Sequence, residues 1–111
     1  MDDNHIRSAT IEIANGLIDV NLGGKVFKKR IALSGKGKSR SGRVIVAYLV
    51  NEKMFFMHGF LKNKTSNITE EEKRDLKDLG RLYLSLSDLD LDKAVRSNVL
   101  YEVRYEISKK I

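Results

Sequence analysis

Cysteine is absent from this sequence, which removes disulfides and thiolate metal sites and fits a reducing cytoplasm. Proline is absent as well, so glycine, serine, asparagine and aspartate must make every turn. No run approaches the ~18 consecutive apolar residues of a membrane span. The opening Met1-Asp-Asp-Asn-His5 is acidic, has no apolar segment behind it, and does not read as a secretory signal. Acids are scarce in one region. Lys25 to Lys64 holds eleven lysines and arginines against a single acid, Glu52, in a chain of net charge +6. Segregated charge of this kind makes an electrostatic footprint for a polyanion, whereas a merely solvated surface mixes the signs.

The 111 residues, 41% hydrophobic and 32% charged, suit one small globular domain over 1–111, with no linker or internal repeat. Asp2 or Asp3 can cap a helix to about Asn15, with Ile6, Ala9, Ile13 and Leu17 at helical spacing. Leu17, Ile18, Val20 and Leu22, between Asn15-Gly16 and Gly23-Gly24, read as a turn or short helix. Lys25 to Leu33 alternates as a strand, with Phe27, Lys29, Ile31 and Leu33 on one face and Lys28 and Arg30 on the other. The loop 34–42 is rich in glycine, serine and cations. Arg43 to Val50 is apolar on both faces and therefore central in its sheet. Met54 to Leu61 returns as its hairpin partner.

A polar, basic loop follows Leu61, and then Thr69-Glu-Glu-Glu72 forms a capping box for a helix with a stripe of Leu76, Leu79, Leu82, Tyr83 and Leu86. Ser87 caps a second, shorter helix, and Val99 to Ile107 alternates as a last strand. The fold class expected is α+β: a single antiparallel sheet of about four strands, an N-terminal helix, and two helices before the last strand.

Several chemistries can be set aside on spacing. Gly37-Lys38-Ser39 invites a P-loop reading, but Ala32 stands where that pattern needs its first glycine, and a valine-rich strand follows where it needs a helix. His5 and His58 have no carboxylate at ligand spacing, so no metal site is expected. His58, alone on an apolar strand, reads as a core or cleft histidine rather than a catalyst. The cations remain. Arg30, Lys36, Lys38, Arg40, Arg43, Lys62 and Lys64 fall at strand ends and loops that an antiparallel sheet can bring to one edge, where they would grip a phosphate backbone. Cleavage of RNA would add two demands: charge stabilisation at the scissile phosphate and removal of the 2′-hydroxyl proton. A lysine crowded by other cations has a lowered pKa and can assist with that proton.

Gly16-Leu-Ile-Asp19, Leu22-Gly-Gly24, Lys28-Lys-Arg-Ile-Ala32, Gly35-Lys-Gly-Lys-Ser39, Gly42-Arg43, Val46-Ala-Tyr48, Phe55-Phe56 and Gly59-Phe-Leu-Lys-Asn63 occur in an order that resembles the RelE-like (HigB-like) toxins of bacterial type II toxin–antitoxin systems, in the RelE/ParE superfamily. The resemblance spans roughly Asp2 to Val103. It implies a ribosome-dependent endonuclease that cuts translated messenger RNA in the A site by attack of a ribose 2′-hydroxyl on its own 3′ phosphate. It also implies a cognate antitoxin of helix-turn-helix type, a cytoplasmic setting and no cofactor. By resemblance, Lys36, Lys38, Arg43 and Lys62 carry catalysis, Arg30 binds phosphate with them, and Asn63 orients the RNA or braces the loop; Arg40 and Lys64 join the RNA-binding set by their charge and place in the loops. The proton acceptor stays open, with Lys36 and Lys38 ahead of His58 and Tyr101.

Two other functions remain open: a non-catalytic nucleic-acid- or antitoxin-binding relative, and a gyrase-targeting toxin of the ParE branch. This sequence has Ser39-Arg-Ser-Gly42 where such proteins usually have Ser-Gly-Gly, and it starts within the helix cap where they usually carry a short strand. The sheet edge that strand would occupy is expected to be filled by the C-terminal strand or by a second copy of the chain.

Overall fold

The computed structural model describes residues 3–32, 41–49, 53–61 and 68–103. Helix α1 (Asp3–Ala14) leads into β1 (Val20–Gly23), β2 (Val26–Ala32), β3 (Ser41–Leu49) and β4 (Lys53–Leu61), followed by α2 (Glu70–Leu84) and α3 (Asp88–Arg96). The four strands form one antiparallel sheet in the order β1-β2-β3-β4. The α+β class and the N-terminal helix are as expected from sequence. Two assignments differ.

The segment read as a turn or short helix contains β1. Its register is fixed from outside: Val20 pairs with Lys28 and Asn21 with Phe27. Asp19 reinforces the pairing, donating its amide to the Lys28 carbonyl at 3.2 Å and accepting the Arg30 amide on its carboxylate. The turn into β2 takes positive φ at Gly23, Gly24 and Lys25, and glycine carries most of that demand. The second difference is at the C-terminus. Residues 99–103 form no strand, and the rest of the expected strand, from 104 on, lies outside the described residues.

The core has two sides, which the sheet separates. Val44 and Val46 point to α1 and pack with Ala9, Ile13 and Ile31. Ile45 and Ala47, one position out of phase, point to α2 and pack with Val26. This is the physical content of an apolar run in β3: it lies between two strands and under a helix on each face. Lys29 faces α1 and is buried, its charge met by Glu12 of α1 at 2.8 Å.

α2 starts at the capping box expected from sequence. The Thr69 hydroxyl accepts the Glu72 amide at 3.0 Å, and the Glu72 carboxylate accepts the Thr69 amide at 2.8 Å. Its contact with the sheet centres on Gly80, its one buried residue. A Cβ there would lie 2.9 Å from Val26 Cγ2 and 3.2 Å from Ala47 Cβ, so the glycine is what lets the helix sit so low. Leu76 and Leu84 flank it in the core, and Tyr83 stacks on Phe55 with ring centroids 5.2 Å apart. Leu82, placed in the stripe by spacing, is exposed.

Ser87 caps α3 as expected, accepting the Asp90 amide at 3.1 Å. α3 buries no residue. Between it, α1 and β4 opens a cleft of about 1000 Å³, lined among others by Ile6, Met54, Phe56, Leu91, Val95 and Tyr101.

Candidate functional site

The two described members of the expected cationic set meet across the sheet. Arg30 of β2 is directly opposite Arg43 of β3, and Arg43 is opposite Phe60 of β4. The next row back reads Lys28, Ile45, His58. All of these lie on the face that α2 covers further along. Arg43 alternates with Val44, which faces α1; Phe60 and Ile45 pack in the α2-side cluster. α2 begins only at Glu70, and Arg30 and His58 are exposed while Lys28, Arg43 and Phe60 are half-buried. The helix thus covers the Val26–Ala47 end of this face and leaves the Arg30–Arg43 end accessible.

Like charges directly opposite on paired strands are unfavourable by a few tenths to ~1 kcal/mol. Arg30 and Arg43 accept that cost on neighbouring strands roughly 4.8 Å apart. The Arg43 guanidinium donates to its neighbour's carbonyl, Gly42 O, at 3.1 Å. Acids are close as well. Asp19 is engaged with the Arg30 backbone amide, and Glu72 is close enough to His58 to feel its charge. The Glu72 carboxyl is held below its ordinary pKa, first by the hydrogen bond from the Thr69 amide, then by the Thr69 side chain, and to a lesser degree by His58.

Lys36, Lys38, Arg40, Lys62, Asn63 and Lys64 lie outside the described residues. Where their segments leave the sheet is described. Ala32 pairs with Ser41, and Gly42 pairs with Leu61. The chain therefore enters 33–40 from β2, returns into β3, and enters 62–67 from β4, all at the end of the sheet that carries Arg30 and Arg43. Tyr101, a candidate proton acceptor, is elsewhere: it is 83% exposed and lines the cleft beside Met54–Met57, the opposite half of β4.

Of the two places expected for His58, core or cleft, the structure excludes the core. Strict alternation would put Met54, Phe56, His58 and Phe60 on one face. A bulge divides them, since Val46 pairs with Phe56 and Ile45 with His58, leaving Met57 as the extra residue. Met54 and Phe56 therefore pack toward α1, and Phe60 packs toward α2. His58 turns with Phe60 and is exposed rather than packed in the core. Lys28 and Phe60 were not singled out in sequence. Alternation places Lys28 on the face of Arg30 without making it a site residue; Phe60 depends on the bulge. Among the described residues no cluster of three or more His, Asp or Glu is placed to hold a metal ion, and no helix is long and apolar enough to cross a membrane.

An antiparallel sheet with a helix on each face and two cations in register at its accessible end makes this a small α+β domain with a cationic sheet surface. Residues 1–103 match the family described as the RelE toxin of the RelE/RelB toxin–antitoxin system, and the chain belongs to that family. Among curated proteins none matches. Family membership makes the chain the toxin half of a toxin–antitoxin pair, with an antitoxin as its partner.

Proposed function

We propose that this toxin is a HigB-like, ribosome-dependent endoribonuclease of the cytoplasm that cuts messenger RNA in the A site and is held in check by an antitoxin of helix-turn-helix type. The observation that carries the reading is the Arg30–Arg43 pair, two like charges in direct register at the sheet end from which both basic segments depart. Like charges in register repel, and a phosphate lying between the two guanidinium groups turns repulsion into a clamp.

In this mechanism the 2′-hydroxyl oxygen attacks the adjacent phosphorus, and the bond to the 5′-oxygen of the next nucleotide breaks. The products are a 2′,3′-cyclic phosphate and a 5′-hydroxyl. Negative charge builds on the phosphoryl oxygens in the transition state. Arg43, with Lys36, Lys38 and Lys62, stabilises it there, the kind of preorganised contact whose loss costs about 10²–10³ in rate. Arg30, Arg40, Asn63 and Lys64 hold the flanking backbone. Lys36 or Lys38 is the first choice of proton acceptor, ahead of His58 in the row beside Arg43; Tyr101 lines the cleft at the other half of β4.

The test is expression in bacteria with cleavage sites mapped in a reporter message. Wild type stops growth and leaves 5′ ends within A-site codons; Arg43→Ala and Lys38→Ala restore growth and remove those ends. Equal growth of wild type and variants refutes the proposal. So does a DNA-damage response without message cleavage, which would indicate a gyrase-directed toxin.

A further inference from the structure

His58 and Phe60 are the aromatic part of an otherwise cationic surface. Their rings are 5.8 Å apart between centroids with an interplanar angle of 31°, so the two π-faces are closer to parallel than to perpendicular. The Met57 bulge aims them together, on the face shared with Arg30, Arg43 and Lys28. Bulges commonly re-aim a side chain at a site. His58 is exposed, and Phe60 is only half-buried although it packs against the α2-side cluster. A histidine placed for packing would instead be covered.

We propose that His58 and Phe60 form a stacking ledge for one unpaired RNA base, whose phosphates lie on Arg43 and Arg30. This rests on the RNA reading given above. Cations grip a backbone regardless of what the bases do, whereas aromatic faces beside them select nucleotides whose bases can be splayed out. In a duplex the base faces are already stacked, so the ligand is single-stranded.

The experiment uses the full chain and a 2′-O-methyl hexanucleotide, which binds without being cut, carrying one 2-aminopurine. Wild type binds and quenches the 2-aminopurine fluorescence. His58→Ala binds about tenfold more weakly, the scale of one lost base stack, and loses the quench. His58→Tyr restores both, because a ring suffices. The same oligonucleotide annealed to its complement is bound equally by wild type and His58→Ala. The ledge is overturned, with the RNA reading intact, if Arg43→Ala weakens binding while His58→Ala binds and quenches like wild type. It is overturned likewise if His58→Tyr fails to rescue, or if His58→Ala loses as much affinity for the duplex. If wild type binds the oligonucleotide neither free nor in the A site of ribosomes, or Arg30→Ala and Arg43→Ala leave binding unchanged, the RNA reading itself fails and the ledge goes with it.

Discussion

Replacing Gly80 by alanine sets two effects of opposite sign against each other, and the structure decides between them. In an exposed helix the substitution would stabilise by about 1 kcal/mol, through reduced backbone entropy in the unfolded chain. Here the added methyl would meet Val26 Cγ2 at 2.9 Å, Ala47 Cβ at 3.2 Å and Met57 Cε at 3.5 Å. Met57 is flexible and can yield. Ala47 cannot: its Cβ is fixed to the backbone of the central strand, and both it and Val26 are fully buried. α2 must therefore lift by a few tenths of an ångström along its contact with the sheet. Overpacking of this kind costs about 1–3 kcal/mol, so the expected net loss is about 1 kcal/mol. For a domain of this size that lowers the Tm by roughly 4–8 °C. Urea unfolding followed by circular dichroism should show a lower midpoint at unchanged m-value. Removing the obstructing methyl tests the cause. Val26→Ala alone costs about 2 kcal/mol in lost burial and cavity, while the double variant should be more stable than the sum of the singles predicts by about 1 kcal/mol. A Gly80→Ala protein as stable as wild type, or a cycle without coupling, would refute the account of how α2 is seated.

Two further predictions concern charge. Glu72 has a lowered pKa, so its ionised form is preferentially stabilised in the folded state; that contribution is present above its unfolded pKa and fades as pH falls through the lower folded value. An NMR titration of the Glu72 carboxyl should place its midpoint below the usual glutamate range, and Thr69→Ala, which removes the hydroxyl but keeps the amide, should move it only part of the way back up while costing about 1 kcal/mol of stability through the lost cap. Glu12→Ala leaves Lys29 buried without its partner and should destabilise by about 1–3 kcal/mol. Lys29→Met in that background should recover much of the loss by thermal melt, because an apolar side chain suits the site.

The parts of this fold legible in sequence were those set by local chemistry. Thr69 and Glu72 cap α2 through atoms three residues apart, and Ser87 caps α3 in the same way. Both are visible in a short window of sequence. β3 was legible as central because two-sided burial leaves an unbroken apolar run. β1 was not, because Val20 and Asn21 are strand only by virtue of pairing with Lys28 and Phe27, and no short-range pattern records a partner several residues away. The helical stripe of α2 was misjudged at Leu82 because spacing finds large apolar residues, while the closest approach is made by a glycine. At the site, alternation was enough to put Arg30 on one face, but the register that sets it opposite Arg43 is a property of the hairpin. The final alternating run, Val99 to Val103, shows the reverse error: period two is necessary for a half-buried strand but does not create one.

The extra residue in β4 makes the polarity of the strand a matter of counting. From the turn to Phe56 the odd and even positions face one way; beyond Met57 they exchange roles. Deleting that one methionine would restore a regular ladder in which Phe56 still meets Val46 and His58 still meets Ile45, so the imidazole and phenyl rings would keep the side of the sheet that carries the guanidinium groups. The second hairpin can thus shorten by one residue at Met57 without turning the rings away, and related sequences should tolerate a single-residue gap there.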